Sequence, residues 1–105
     1  MEVAPVQVRV RLFGDIAAMA GQSTLAVDLS DQADIAALLA ALDRTTGRSI
    51  SASVLFNPQT IHPAVAILIN GSNVLLGKGP QNGLQAPLHE GDQVSVMPLI
   101  SGGRA

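Results

Sequence analysis

Residues 88–105 read Leu-His-Glu-Gly-Asp-Gln-Val-Ser-Val-Met-Pro-Leu-Ile-Ser-Gly-Gly-Arg-Ala. After a polar turn at 90–92, alternating side chains predict a last β-strand over residues 93–99. Two residues later comes a diglycine, Gly102-Gly103. Because glycine has no Cβ, such a tail is thin and conformationally free, and it can enter a narrow active site of another protein. We therefore predict a folded domain over residues 1–101 and a flexible tail over 102–105.

The first half of the chain predicts a β-hairpin and one long helix. Valine alternates with Gln and Arg near the N-terminus, which is typical of a half-buried strand. Apolar residues spaced i, i+3, i+4 and i+7 from Ile35 predict an amphipathic helix, with Asp31 as its N-cap. The predicted elements are a strand over 6–12, a short helix over 16–20 that ends at Gly21, a strand over 24–29 and the long helix over about 33–46, ended by Gly47.

The second half predicts further strands. Residues 65–69 are all apolar, which favours a strand at the sheet centre. Asn70-Gly71 is a turn signal, and residues 74–76 predict a short returning strand. Segment 48–63 is less clear, since residues 51–55 fit either a helical turn or an edge strand. The order predicts an α+β fold, in which one main helix packs across one face of a mixed sheet of four to five strands.

Composition excludes several classes of protein. The chain has 105 residues, enough for one core, and a net charge of −2 with scattered basic residues, which argues against nucleic-acid binding. It contains no cysteine and only two aromatic residues, Phe13 and Phe56, so the core is expected to be aliphatic. No apolar run is long enough for a membrane span, and the N-terminus does not resemble a secretory signal. The expected compartment is the cytoplasm.

The side chains predict no catalytic or metal site. His62 and His89 are isolated from other metal-ligating residues, and nothing marks a nucleophile. Gly77-Lys78-Gly79 lacks the Ser or Thr and the following helix that a phosphate loop needs. We therefore expect no enzymatic activity, no cofactor and no metal. The C-terminal carboxylate remains as the candidate reactive group.

One face of the predicted sheet has no helix to cover it. Met97, Leu99 and the apolar strand 65–69 would place apolar side chains there, and an exposed apolar face is typical of a partner surface. The alternative is that segment 48–63 covers this face.

These features together resemble a known family, the ubiquitin-like β-grasp sulfur carriers of the MoaD and ThiS type. The resemblance spans nearly the whole chain and includes Leu12-Phe13-Gly14, the helix at 33–46 and the strand 66–70 followed by Gly71. Its strongest part is the order of residues 83–94, with Gly-Leu, Pro-Leu and Gly-Asp pairs, followed by Pro98 and the diglycine. It resembles the longer MoaD-like carriers, including those of cysteine biosynthesis.

The resemblance implies a β-grasp fold and a mechanism. In such carriers an E1-like enzyme uses ATP and magnesium to adenylate the terminal glycine, sulfur replaces AMP, and a synthase accepts sulfur from the resulting thiocarboxylate. Carried over to this chain, Gly103 is the acyl group that is activated and Gly102 is the thin neck. Ser101, Pro98 and Phe13 are then expected at the tail or the partner interface.

The chain departs from that pattern in Arg104-Ala105. A glycine followed by two residues has no free carboxylate, so we expect a precursor cleaved between Gly103 and Arg104, by a protease such as a JAMM-type zinc enzyme. Two other interpretations stay open, namely a ubiquitin-like modifier attached to target lysines and a β-grasp interaction module that does not react. The pathway that would receive the sulfur is not predicted.

Overall fold

The computed structural model describes residues 6–30, 32–57, 60–76 and 83–99 of the chain. The strands are β1 (Val6–Leu12), β2 (Thr24–Leu29), β3 (Leu55–Asn57), β4 (Thr60–Ile61), β5 (Val65–Ile69), β6 (Ser72–Asn73) and β7 (Gln93–Pro98). The helices are α1 (Gly14–Ala20), α2 (Ile35–Thr46) and α3 (Ile50–Val54), with 3-10 turns at Val74–Leu76 and Gly83–Gln85.

Five strands form a mixed sheet in the order β2-β1-β7-β5-β6. Strand β1 pairs antiparallel with β2 and parallel with β7, and β5 pairs antiparallel with β7. Strands β3 and β4 form a separate two-stranded sheet. The α+β fold, the first hairpin and the mixed sheet with one main helix across one face are confirmed.

The central strand of the sheet is β7, which corrects one prediction. The apolar composition of β5 predicts a central position, but the structure places β5 between β7 and the two-residue β6. Val65 and Ile67 of β5 point into the core, whereas Ala66 and Leu68 lie on the opposite face. The apolar composition of β5 therefore reflects apolar residues on both faces of the sheet, and it does not indicate the central position.

The core lies between the sheet and helix α2, and its buried side chains are aliphatic. In β1 buried and exposed residues alternate along the whole strand, as predicted. Leu38 and Leu42 of α2 have no exposed surface and pack against these inward residues. Burial of such side chains contributes about 1.5–3 kcal/mol each, which makes this layer the main source of stability.

Helix α2 begins later than predicted. Asp34 is its N-cap, with Oδ1 accepting a hydrogen bond of 2.9 Å from the Ala37 N–H. Asp31, the predicted cap, lies outside the described residues. Backbone bonds join the approach to α2 with residues 86–88, since the Leu88 N–H donates to the Ala33 carbonyl. This pairing keeps Asp34 extended and delays the helix, which ends at Gly47 as predicted.

The segments for which the sequence gives no clear pattern contain both helix and strand. Residues 50–54 form α3, and the chain then turns directly into β3. The side chain of Asp43 holds the start of α3, because it accepts bonds from the backbone N–H and the hydroxyl of Ser51. The prediction of a strand over 74–76 is wrong. The strand that pairs with β5 is β6 at Ser72–Asn73, and residues 74–76 form a 3-10 turn.

The longest of the described helices, α2, has twelve residues. A helix that crosses a bilayer needs about 20 predominantly apolar residues. Within the part of the chain that the structure describes, no helix is long and apolar enough to cross a membrane.

Candidate functional site

The candidate site is the corner of the molecule where the last strand ends. Strand β7 is hydrogen-bonded on both sides there: the Phe13 N–H donates to the Val96 carbonyl at 3.1 Å, and the Leu99 N–H donates to the Ala64 carbonyl at 2.7 Å. Because these bonds come from opposite neighbours, they anchor the chain up to Leu99. The position and direction at which the chain leaves the sheet are therefore set by the fold.

Gly14 and Pro98 fit closely at this corner. Gly14 has φ +59°, and a Cβ added to it would lie 2.8 Å from Pro98 Cγ. Real Cβ atoms essentially never approach a neighbour that closely, so only glycine allows this contact without a shift. The sequence predicts Phe13 and Pro98 at the interface or tail, and the structure brings the start of α1 and the end of β7 together.

The remaining predicted site residues are Ser101, Gly102, Gly103 and Arg104. All four lie outside the described residues, as does the Gly77-Lys78-Gly79 stretch that lacks the features of a phosphate loop. The last described residue before the diglycine is Leu99.

The face of the sheet opposite α2, here called the outer face, carries none of the helices that the structure describes. The described part of segment 48–63 packs on the other side, because Ile50 and Val54 are buried in the core beside α2. The alternative that this segment covers the outer face is therefore wrong. From the strand register, the outer face consists of Gln7, Arg9, Arg11, Thr24, Ala26, Asp28, Ala66, Leu68, Gln93, Ser95 and Met97.

The part of the outer face nearest the candidate corner is apolar. Ala66 is buried, Leu68 and Met97 are half-buried with no described helix or strand packed over them, and Leu99 is 59% exposed. Phe13 lies at the same end of β1, with its ring centroid 5.4 Å from the Arg11 guanidinium carbon, a cation–π distance. Uncovered apolar side chains beside the end of β7 are suited to a protein partner that also handles the tail.

The opposite end of the outer face is polar and internally bonded. Asp28 Oδ1 accepts from the Gln7 Nε2, and Glu90 Oε1 accepts from the Gln7 backbone N–H. A depression of about 230 Å³ lies here, and Arg9 and Glu90 are among the residues that line it. Small-molecule pockets typically have volumes of about 300–1,000 Å³, so this depression is smaller than most of them.

The two histidines serve turns. The Nδ1 of His62 accepts a 2.9 Å bond from the Ala64 N–H. The side chain of His89 is 77% exposed, and its Nδ1 lies 3.7 Å from Asp92 Oδ2. Asp92 also accepts from the His89 backbone N–H and from Asn70 Nδ2, which fixes the turn before β7. No group of three potential metal ligands occurs among the residues described.

Sequence reasoning missed Gly14 and the two outer-face arginines, Arg9 and Arg11. The alternation in β1 is a sufficient signal that both arginines share a face. Their position beside the apolar corner follows from the parallel pairing of β1 with β7, which pairs residues more than 80 positions apart.

Comparison with known proteins places these features in a family. The sequence model of the ThiS family matches residues 10–103. A protein of Archaeoglobus fulgidus named "Putative sulfur carrier protein" is 29% identical over 96 residues, which cover 91% of this chain and 98% of that protein.

Two solved structures are similar over most of the chain. The small archaeal modifier protein 1 of Haloferax volcanii has 25% identity and a TM-score of 0.73, covering 92% of this chain and 99% of its own. CysO of Mycobacterium tuberculosis has 21% identity and a TM-score of 0.74, covering 89% of this chain and 99% of its own, which shows a shared fold.

The family match continues past the described residues to Gly103 and leaves Arg104 and Ala105 outside it. The five-stranded sheet, the main helix on one face and the strand that leads toward the diglycine agree with the fold of these relatives. This chain belongs to the ThiS family, and its fold is the α+β β-grasp fold of the ubiquitin-like sulfur carriers.

Proposed function

We propose that this chain is a sulfur carrier made as a precursor, whose reactive terminus is Gly103. The observation that carries the proposal is the family match, which ends at the second glycine of the diglycine. It is supported by the anchored end of β7 beside an uncovered apolar surface, an arrangement suited to docking an enzyme next to the tail. In this proposal the chain is the substrate of its partners and is not itself an enzyme.

The reach of the tail restricts where the partner docks. Four residues separate the anchored Leu99 from Gly103, counting Gly103 itself. A fully extended chain spans at most about 3.3–3.6 Å per residue, so the carbonyl of Gly103 stays within about 14 Å of Leu99. An enzyme that acts on Gly103 must therefore contact the corner around Phe13, Met97 and Leu99.

The chemistry requires a free carboxylate on Gly103. A protease, such as a JAMM-type zinc enzyme, would first hydrolyse the Gly103–Arg104 peptide bond. An E1-like enzyme that supplies ATP and Mg²⁺ would then join the carboxylate to AMP, with pyrophosphate leaving. A hydrosulfide equivalent from the partner would attack the acyl carbon and displace AMP, leaving a thiocarboxylate that a synthase uses as its sulfur donor.

The proposal is tested with three chains that end at Gly102, at Gly103 and at Ala105. Each is incubated with the E1-like enzyme encoded in the same genome, ATP and Mg²⁺, and ATP–pyrophosphate exchange is measured. We expect exchange only with the chain that ends at Gly103. The chain ending at Gly102 is the matched control, because it has a free glycine carboxylate one residue short. Equal exchange by the untrimmed chain would refute the precursor proposal.

Intact-mass spectrometry of the protein purified from its native cells provides the second test. We expect a species ending at Gly103 and a second species about 16 Da heavier, in which sulfur replaces one oxygen. A population that retains Arg104-Ala105 while the pathway is active would favour the interaction module that does not react.

Protein modification is the second candidate function, and the similarity to small archaeal modifier protein 1 is the observation that favours it. The same acyl-adenylate would then pass to a lysine amine of a target, with AMP leaving and an isopeptide bond forming. Lys78 is the last Lys or Arg before Gly103, so trypsin would leave residues 79–103 on the modified lysine. Finding that branched peptide in native cells would assign the chain to conjugation.

A further inference from the structure

We infer that Arg9 and Arg11 form a cationic recognition site for carboxylates on the enzyme that activates the tail. The inference deepens the proposed function and rests on it, because the partner concerned is the one that acts on Gly103. It concerns the part of the outer face between the apolar corner and the polar end that contains Gln7, Asp28 and Glu90.

The two arginines lie side by side along one strand, both exposed on the outer face. Residues i and i+2 of a strand are about 7 Å apart, so the guanidinium groups form a short cationic row. In the strand register they are flanked by uncharged residues only: Ala26 and Gln93 beside Arg9, Thr24 and Ser95 beside Arg11.

Neither arginine is neutralised within the described part of the chain. The one contact of this range there joins His89 Nδ1 to Asp92 Oδ2 at 3.7 Å, and no carboxylate oxygen of a described residue lies within 4.0 Å of either guanidinium group. Asp28 and Glu90, the acidic residues at the polar end of this face, accept hydrogen bonds from Gln7 and form no ion pair with either arginine. Both charges therefore remain available to a partner.

The arginines are placed where the partner must sit. Parallel pairing sets Arg11 opposite Ser95. Two positions further along the chain, on the same side, come the apolar residues Phe13 and Met97. Arg11 also contacts the Phe13 ring. Since Gly103 stays within about 14 Å of Leu99, an enzyme that covers this corner extends over the arginine row.

Charge complementarity then determines the partner's chemistry. The chain as a whole carries a net charge of −2, yet this row is cationic. Arginine stays protonated at all physiological pH values and pairs with carboxylates in a bidentate geometry. An acidic surface opposite the row would steer the encounter and set the register of docking, whereas a basic surface would be repelled.

The test uses the chain ending at Gly103 with the E1-like enzyme encoded in the same genome. The variants are Arg9→Glu, Arg11→Glu and the double reversal, and Arg44→Glu is the matched control. Arg44 is exposed on α2, which lies on the opposite face of the sheet. Thermal unfolding of each variant is the control for the fold, and we expect these exposed substitutions to leave it intact.

We expect each reversal to raise the KM for the carrier about threefold to tenfold, with kcat changed less than about twofold. Raising the salt concentration should raise the KM of the wild-type chain, because the ionic attraction is screened. It should lower the KM of the double reversal, because there it screens the repulsion between the new glutamates and the acidic surface. Arg44→Glu should behave as wild type. Unchanged or lowered KM values for the reversals, while the wild-type chain is adenylated, would overturn the inference and leave the proposed function standing.

Cross-linking gives an independent measurement. An Arg11→Lys variant treated with a carbodiimide should form an amide between the new amine and a carboxylate of the enzyme, with loss of water. We expect the linked enzyme residue to be Asp or Glu and Arg44→Lys to give no such product. Absence of the Arg11→Lys product would count against the inference. Failure of the wild-type chain to be adenylated would instead overturn the proposed function, and the inference with it.

Discussion

Replacing Gly14 with alanine tests whether the corner between α1 and β7 is packed as tightly as the structure indicates. Two costs are expected. The backbone at φ +59° disfavours a side chain by about 1–2 kcal/mol. The new Cβ would also meet Pro98 Cγ at 2.8 Å, and the side-chain and backbone shifts that relieve such an overlap cost about 1–3 kcal/mol. We therefore expect Gly14→Ala to lower the free energy of unfolding by about 2–5 kcal/mol.

The structure also supplies a control that separates the two costs. Gly21 has φ +79°, and a Cβ added there would meet nothing within 4 Å. Gly21→Ala should therefore show the backbone cost alone, about 1–2 kcal/mol. Urea unfolding followed by circular dichroism measures both variants, and unchanged m-values would confirm that the same surface is exposed on unfolding.

A double-mutant cycle then tests the contact itself. Pro98→Ala removes the Cγ atom that the new methyl group would meet, so adding Gly14→Ala in that background should cost only the backbone strain. We expect a coupling of about 1–3 kcal/mol between the two positions. The packing argument is refuted if Gly14→Ala costs no more than Gly21→Ala, or if the coupling is below about 0.5 kcal/mol.

Three further substitutions test other parts of the structure. Asp34→Ala removes the cap of α2 and should lower the free energy of unfolding in urea by about 1 kcal/mol. Asp15→Ala, at an exposed position, should change it by no more than about 0.5 kcal/mol, and equal effects would contradict the assigned cap. Leu42→Ala, at a side chain with no exposed surface, should cost about 2–5 kcal/mol, and the 51%-exposed Leu75 should tolerate alanine at under about 1 kcal/mol; similar costs would contradict the burial of Leu42. Leu99→Asp should change the free energy of unfolding by no more than about 0.5 kcal/mol, because Leu99 is exposed. It should weaken binding to the activating enzyme at least tenfold in calorimetry, because it places a charge in the proposed contact. Unchanged binding would show that the partner does not touch this corner.

Much of the fold is determined by local pattern. The period-2 alternation in β1 and the i, i+3, i+4, i+7 spacing from Ile35 predict a strand and a helix, because each buries one face. Gly21 and Gly47 end their helices as expected, with positive φ. The diglycine and the order of residues 83–94 suffice to suggest the family from the amino-acid sequence alone.

Local pattern failed where a distant segment competes. The sequence predicts Asp31 as the cap of α2, whereas the structure caps the helix with Asp34, where hydrogen bonds join residues 86–88 to the approach of α2. The apolar strand β5 looks central, but a strand's neighbours depend on pairing across the whole chain. Residues 74–76 have the composition of a strand and lack a partner there, so they form a 3-10 turn.

The sequence by itself determined the first hairpin, the main helix, the strands 65–69 and 93–98, the aliphatic core and the diglycine, because these depend on side-chain periodicity and on glycine's missing Cβ. Tertiary structure alone decided that the described part of segment 48–63 packs with α2 and not on the outer face. It also decided that Arg11 lies beside the apolar corner and that Gly14 closes against Pro98. Those contacts follow from the parallel pairing of β1 with β7, which brings the first and last strands side by side and which no local pattern specifies.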